Sequence, residues 1–155
     1  MVKSLVFLPL LSRDAINNSS VEKQNFALLS RSSYCDNVLL EHRLALELVE
    51  RGIVANIYPV LIGDLVEVSS DGSSSYTDYF ITGCHPALTN AVIVDSVEST
   101  LQEQLNRLCF GTPLLEGQTV PVILDNINKS QGCLIDGPAA TAFDAMIVDV
   151  VTMVQ

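Results

Sequence analysis

An α/β fold built on a parallel sheet is predicted by three features of the 155 residues. Residues 4–11 and 56–62 are apolar on both faces, as strands of a sheet covered on two sides require. A helical pattern lies between them, so the three segments form one βαβ crossover of right-handed sense. More helical patterns follow downstream, which gives the sheet helices to cover it.

In chain order, the run Leu5-Val6-Phe7-Leu8-Pro9-Leu10-Leu11 is the first strand and Ser12-Arg13-Asp14 ends it. The run follows Lys3 and so has the outline of a secretion signal. It is short, Arg13 and Asp14 follow at once, and no small-x-small cleavage site is present, so a strand is the better reading. A polar loop through Asn17-Asn18-Ser19-Ser20 leads to one short helical turn at Phe26-Ala27-Leu28-Leu29. Asp36 is suited to cap the next helix, because its carboxylate accepts from free backbone N–H groups. That helix runs to about Arg51, where Gly52 supplies a left-handed stop. Asn56 to Ile62 is the second strand and closes at Gly63-Asp64. The serine-rich stretch within 66–79 reads as a solvated loop. Val97, Leu101, Leu105 and Leu108 recur at helical spacing and end near Gly111. Thr119 can cap a further helix with Val120, Ile123, Leu124 and Ile127 on one side, and Pro121 is tolerated in its first turn. Asp136-Gly137-Pro138 starts a last helix whose apolar face includes Phe143, Met146, Ile147 and Val150. Gln131-Gly132 reads as a turn. Two buried strands with so few candidate neighbours imply that strand 4–11 lacks a partner on one side.

Composition narrows the function classes. A formal charge of -10, with only eight Lys and Arg, argues against nucleic acid or an anionic membrane as partner. No run reaches the ~20 apolar residues of a membrane span. Cys35, Cys84, Cys109 and Cys133 lie far apart with no CxxC pair, so no metal site is expected. Free thiols in a reducing cytosol are the simplest reading, which places the chain in the cytoplasm.

The helix after Asp36 holds the candidate catalytic residue. With Leu40 at zero and about 100° per residue, Leu44, Leu48, Ala45, Val38 and Val49 span an arc from about 40° to 180°. Glu50, Arg43, Asp36, Glu47 and Arg51 fall on the other arc. Glu41 sits near 100°, on the apolar side, where lost hydration would raise its pKa and suit it to a cleft. The plain alternative is a glutamate near a helix N-terminus, favoured by the macrodipole and leaning to solvent. His42, at about 200° on the wheel, is expected to be a packed or half-exposed histidine rather than a general base. His85, in Gly83-Cys84-His85-Pro86, is read as a loop histidine. Tyr34 and Cys35 either line a cleft before the helix or pack beneath the loop. Ser12 and Arg13 stand at the carboxyl end of a parallel strand, where open α/β sheets bind ligands, although turn chemistry also accounts for them.

Leu5 to Ser12, the stretch Ser32-Ser33-Tyr34-Cys35-Asp36 leading to Glu41, and Ile57-Tyr58-Pro59-Val60 together resemble the second half of a Toll/interleukin receptor (TIR) domain. They are similar to that family's third strand, the approach to its third helix, and its fourth strand. The likeness is good over residues 4–65, weak to about 110 and absent beyond. It implies a flavodoxin-like parallel sheet with the N-terminal strands missing and extra C-terminal helices. Residues 1–110 would be a partial TIR-like domain, and 111–155 a helical extension packed on it. It also implies signal transduction as a scaffold, through association with other TIR domains or with itself. Some members cleave NAD at the nicotinamide–ribose bond, and their catalytic glutamate carries over to Glu41. Ser12, Arg13, Tyr34 and Cys35 would then border NAD as a substrate, with no cofactor. A rival expectation is a self-sufficient NAD-cleaving enzyme in which residues 66–95 replace the missing strands. A third is a truncated product without activity.

Overall fold

The computed structural model describes residues 5–17, 25–72, 74–77, 79, 88, 91–108, 113–130, 132–135 and 139–153. Lys3, Asn18 to Ser20, Cys84, His85, Cys109, Gly111, Gln131, Asp136 to Pro138 and the Phe143 side chain lie outside them. The architecture is α/β, as expected. Along the chain run β1 (Val6–Phe7), β2 (Leu10–Leu11), α1 (Arg13–Ile16), a 3-10 turn (Phe26–Leu28) and α2 (Asn37–Glu50). They are followed by β3 (Asn56–Ile57), β4 (Val60–Ile62), β5 (Leu65–Val68), β6 (Ser74–Tyr76) and α3 (Asp95–Arg107). The chain continues with α4 (Val120–Asn128), β7 (Cys133–Ile135) and α5 (Ala139–Met153).

β1 pairs in parallel with β3 and β2 with β4, in one register: Val6 faces Asn56 and Leu10 faces Val60. Each pair is therefore one strand pairing broken in the middle. Proline explains the break. Pro9 and Pro59 stand opposite one another in that register, and neither has an N–H to give the ladder. Single bonds span the gap, from Tyr58 N to Phe7 O (2.8 Å) and from Val60 N to Pro9 O (2.9 Å). β7 pairs in parallel with the other side of β4. β4 is thus central, and β2 has a strand neighbour on one side among the described residues.

The two faces of the sheet are covered unequally. Phe7, Leu11, Ile57, Leu61 and Leu134 pack under Leu39 and Ala45 of α2 and under Val120, Ile123, Leu124 and Ile127 of α4. On the opposite face Val6, Tyr58, Val60, Ile62 and Ile135 meet Met146 and Val150 of α5. The Tyr58 hydroxyl donates to Asp149 Oδ2 at 2.8 Å and ties α5 to the sheet. This second cover reaches Val6 but not the rest of the first strand, where Leu8 and Leu10 are 38% and 61% exposed. The expectation of two buried faces therefore fails for this strand beyond Val6, because there only the odd-numbered side chains reach a core.

Other local expectations hold for clear reasons. Asp36 Oδ1 accepts from Val38 N (2.8 Å) and Leu39 N (3.1 Å), and Gly52 adopts φ 67° after α2. The 3-10 turn is capped by Asn25, whose Oδ1 accepts from Ala27 N at 3.1 Å. The four predicted apolar residues of α4 are all buried. Ile147, expected on the inner face of α5, is instead exposed. Residues 66–79 are also different from the expected loop, since β5 and β6 form an antiparallel hairpin. Its strand Leu65–Val68 is exposed throughout, and Asp64 N and O both bond Thr77 at its base. No described helix is long and apolar enough to cross a membrane.

Candidate functional site

The carboxyl ends of β2 and β4 hold two of the expected site residues. Ser12 Oγ accepts from Ala15 N at 3.3 Å and starts α1, so its hydroxyl works as a helix cap. Arg13 reaches across to Asp64 at 2.5 Å, joining the ends of adjacent parallel strands. Both partners are partly exposed, so the pair contributes little to stability and remains accessible to a polar ligand.

Tyr34 and Cys35 precede α2. Tyr34 is 78% exposed, so it does not pack beneath the loop. Cys35 is half-buried with Sγ 3.9 Å from Asp36 O. Burial pushes its thiol pKa up, Thr100 lowers it by hydrogen bonding, and the Asp36 charge raises it again. The net rise describes a protonated thiol rather than an activated nucleophile.

Glu41 is exposed, which corrects the expected helix phase. The buried residues of α2 are Leu39, His42, Arg43, Ala45 and Glu47. Arg43 and Glu47 came from the arc read as polar, and Glu41 lies about 160° from Arg43 and about 120° from Glu47 on the wheel. Leucine or valine occurs at so many positions of this helix that apolar spacing alone does not define a face. Partners from distant segments decide it.

Those partners form a buried ionic cluster. Arg43 is fully buried and donates from Nη1 to Glu47 Oε2 (2.8 Å), and from Nε and Nη2 to Glu98 Oε1 (2.7 Å) and Oε2 (3.2 Å). Its Nη2 also donates to Leu115 O at 2.9 Å. Glu47, 2% exposed, accepts further bonds from Arg51 Nη2 (2.6 Å) and Leu115 N (3.1 Å). Two arginines and two glutamates balance in charge and fasten α2 to α3 and to residues 113–115. Burial raises the Glu47 carboxyl pKa, but bonds from Arg43, Leu115 and Arg51 outweigh burial and hold it below its ordinary value. The i,i+4 spacing of Arg43, Glu47 and Arg51 was a legible signal, although it fits an exposed face equally well.

His42 is 2% exposed and meets Phe7 and Phe26 edge-on, each ring centroid 6.5 Å away. Of the packed and half-exposed readings open from the sequence, the structure selects the packed one. A pocket of about 300 Å³ is lined by Arg31, Ala91, Val92 and Ile93. The expected site residues do not line it. Arg31 is held there by Asp95, with Nε 3.0 and 2.9 Å from the two carboxylate oxygens.

No protein-family model, curated protein or solved structure matches this chain.

Proposed function

We propose that the chain is a TIR-type association module, a scaffold that acts by binding TIR domains or further copies of itself. The observation that carries this reading is the outer edge of strand 5–11. Leu5 O, Phe7 O and Pro9 O accept from Ala55, Tyr58 and Val60 on the paired side. In a parallel strand the alternate residues Val6, Leu8 and Leu10 then turn their N–H and C=O groups outward. The N–H missing at Pro9 falls on the paired side, so it does not interrupt the outer edge. No charged residue occurs between Leu5 and Ser12 to discourage another strand, and Leu5, Leu8 and Leu10 are exposed. The residue pattern of 4–65 supports TIR domains as the class of partner.

Purified chain is expected to associate increasingly with concentration in light scattering. A Leu8→Lys/Leu10→Lys variant should stay monomeric with an unchanged circular dichroism spectrum. Binding to a panel of TIR domains, compared with unrelated α/β domains, tests the partner class. A monodisperse monomer at high concentration that also ignores the TIR panel would sink the reading.

NAD cleavage is the competing activity, and the exposure of Glu41 weighs against it. A ribosyl cation needs a carboxylate fixed beside it in a site that excludes water. Orientation of this kind supplies several orders of magnitude in rate. We therefore expect no detectable nicotinamide release by the 155 residues. Robust release that disappears in Glu41→Ala would replace the scaffold reading with that of a hydrolase.

A further inference from the structure

We infer that His42 is an acid-sensitive trigger, whose protonation inside the Phe7–Phe26 cage releases α2 from the first strand. The geometry carries this. His42 Nδ1 is buried and has no hydrogen-bond partner among the described residues. The rings that flank the imidazole belong to β1 and to the 3-10 turn, so one side chain joins three elements. A neutral imidazole is tolerated in such a cage. An imidazolium carries a donor and a charge that the cage does not meet.

Among the described residues, no neighbouring element brings a free carboxylate, and Asp36 before α2 is engaged in capping Val38 and Leu39. On α2, Glu41 and Glu50 are exposed, while Arg43 and Glu47 are committed to the ionic cluster. From α3, Glu98 is committed to Arg43 and Asp95 to Arg31. From α4, Asp125 and Lys129 pair with each other at the surface. β1 and β3 hold no ionisable side chain, and on α1 Arg13 pairs with Asp64 while Asp14 is exposed. The added charge would also stand next in sequence to Arg43. Burial accordingly pushes the His42 pKa down from 6.5 to about 4.

The sign follows from linkage. Between those two values the unfolded chain binds a proton that the folded chain refuses, so stability is complete above pH 6.5 and falls toward pH 4. Glu47 contributes its own loss only below the ordinary carboxylate range, so among the described residues the interval from pH 7 to 5 reads His42. With those pKa values, the unfolding equilibrium constant should rise about 20-fold from pH 7 to pH 5.

The test is urea denaturation of the full chain at pH 7, 6 and 5, beside His42→Phe and His42→Leu, all in a His85→Asn background that leaves one histidine. The single-histidine chain should show the rise, and both apolar variants should lose most of it. Histidine NMR on the parent supplies a readout independent of whether the variants fold. Its imidazole should stay neutral at pH 5 in the folded population, and amides of α2 should lose exchange protection on acidification ahead of those in β4. A folded-state titration near 6.5, an unchanged pH slope in foldable variants, or α2 protection that holds while β4 opens would each overturn the inference.

Discussion

Replacing Arg43 by alanine is expected to destabilise the protein by about 3–5 kcal/mol, since it removes one partner of a buried ion pair. The guanidinium reaches Glu47 on its own helix, Glu98 on α3 and the carbonyl of Leu115. Its loss leaves Glu47 buried with Arg51 as its remaining arginine, and deprives Glu98 of its bidentate partner. Removing both buried charges should cost less than removing one. An Arg43→Met/Glu47→Leu double variant fills similar volume without an orphaned charge, so its cost should fall well below the sum of the single changes. Denaturant midpoints for the three variants decide the matter, and a single-variant cost below about 1 kcal/mol would show the cluster to be dispensable. The pH dependence has a definite sign. Because Glu47 titrates below its ordinary value in the fold, its contribution is present above the unfolded carboxylate pKa and is lost as pH falls through the folded one. Arg43→Ala should reduce that acid loss, since the largest hydrogen-bonding cause of the lowered pKa is gone.

Gly132→Ala is the second substitution with a large expected effect. A Cβ at Gly132 would overlap Pro59 O and lie 2.7 Å from Pro59 Cγ and 2.9 Å from Cδ. Pro59 O also accepts from Cys133 N at 3.0 Å, so it cannot move away without giving up the approach of β7 to β4. The strain falls on the central pairing of the sheet and should spread to the whole fold, at about 3 kcal/mol. Gly63→Ala provides the contrast. There the Cβ would overlap the backbone oxygen of Thr77, at the base of an exposed hairpin. Displacing β5 and β6 relieves that overlap and leaves the core intact. Hydrogen exchange should therefore quicken across the hairpin in Gly63→Ala with little change in global stability, and across all strands in Gly132→Ala. Similar exchange patterns in the two variants would refute the distinction.

The elements legible in the sequence are those specified by nearby residues. The Asp36 cap and Gly52 stop bound α2 through bonds and dihedrals made within a few positions. The helical repeat of Val97, Leu101 and Leu105 likewise places three side chains in one buried row. The parallel pairing of 5–11 with 56–62 was also readable, because two apolar strands flanking one helix have few other ways to meet. β7 was not. Its three apolar residues, Cys133–Ile135, are too few to distinguish a strand from part of a loop until β4 is beside them. The hairpin was hidden for the related reason that its strands are exposed and show no apolar alternation.

The candidate site divides along the same line. By itself the sequence determined that Glu41 stands in the second turn of a helix and that Ser12 and Arg13 end a strand. Tertiary structure decided which carboxylate is buried. Leucines and valines surround α2, so local hydrophobicity set no unique face. Glu98 and the backbone of Leu115, remote in sequence, supplied the hydrogen bonds that make burial of Arg43 and Glu47 tolerable. A charge enters a core only where partners meet it, and those partners are brought together by the fold.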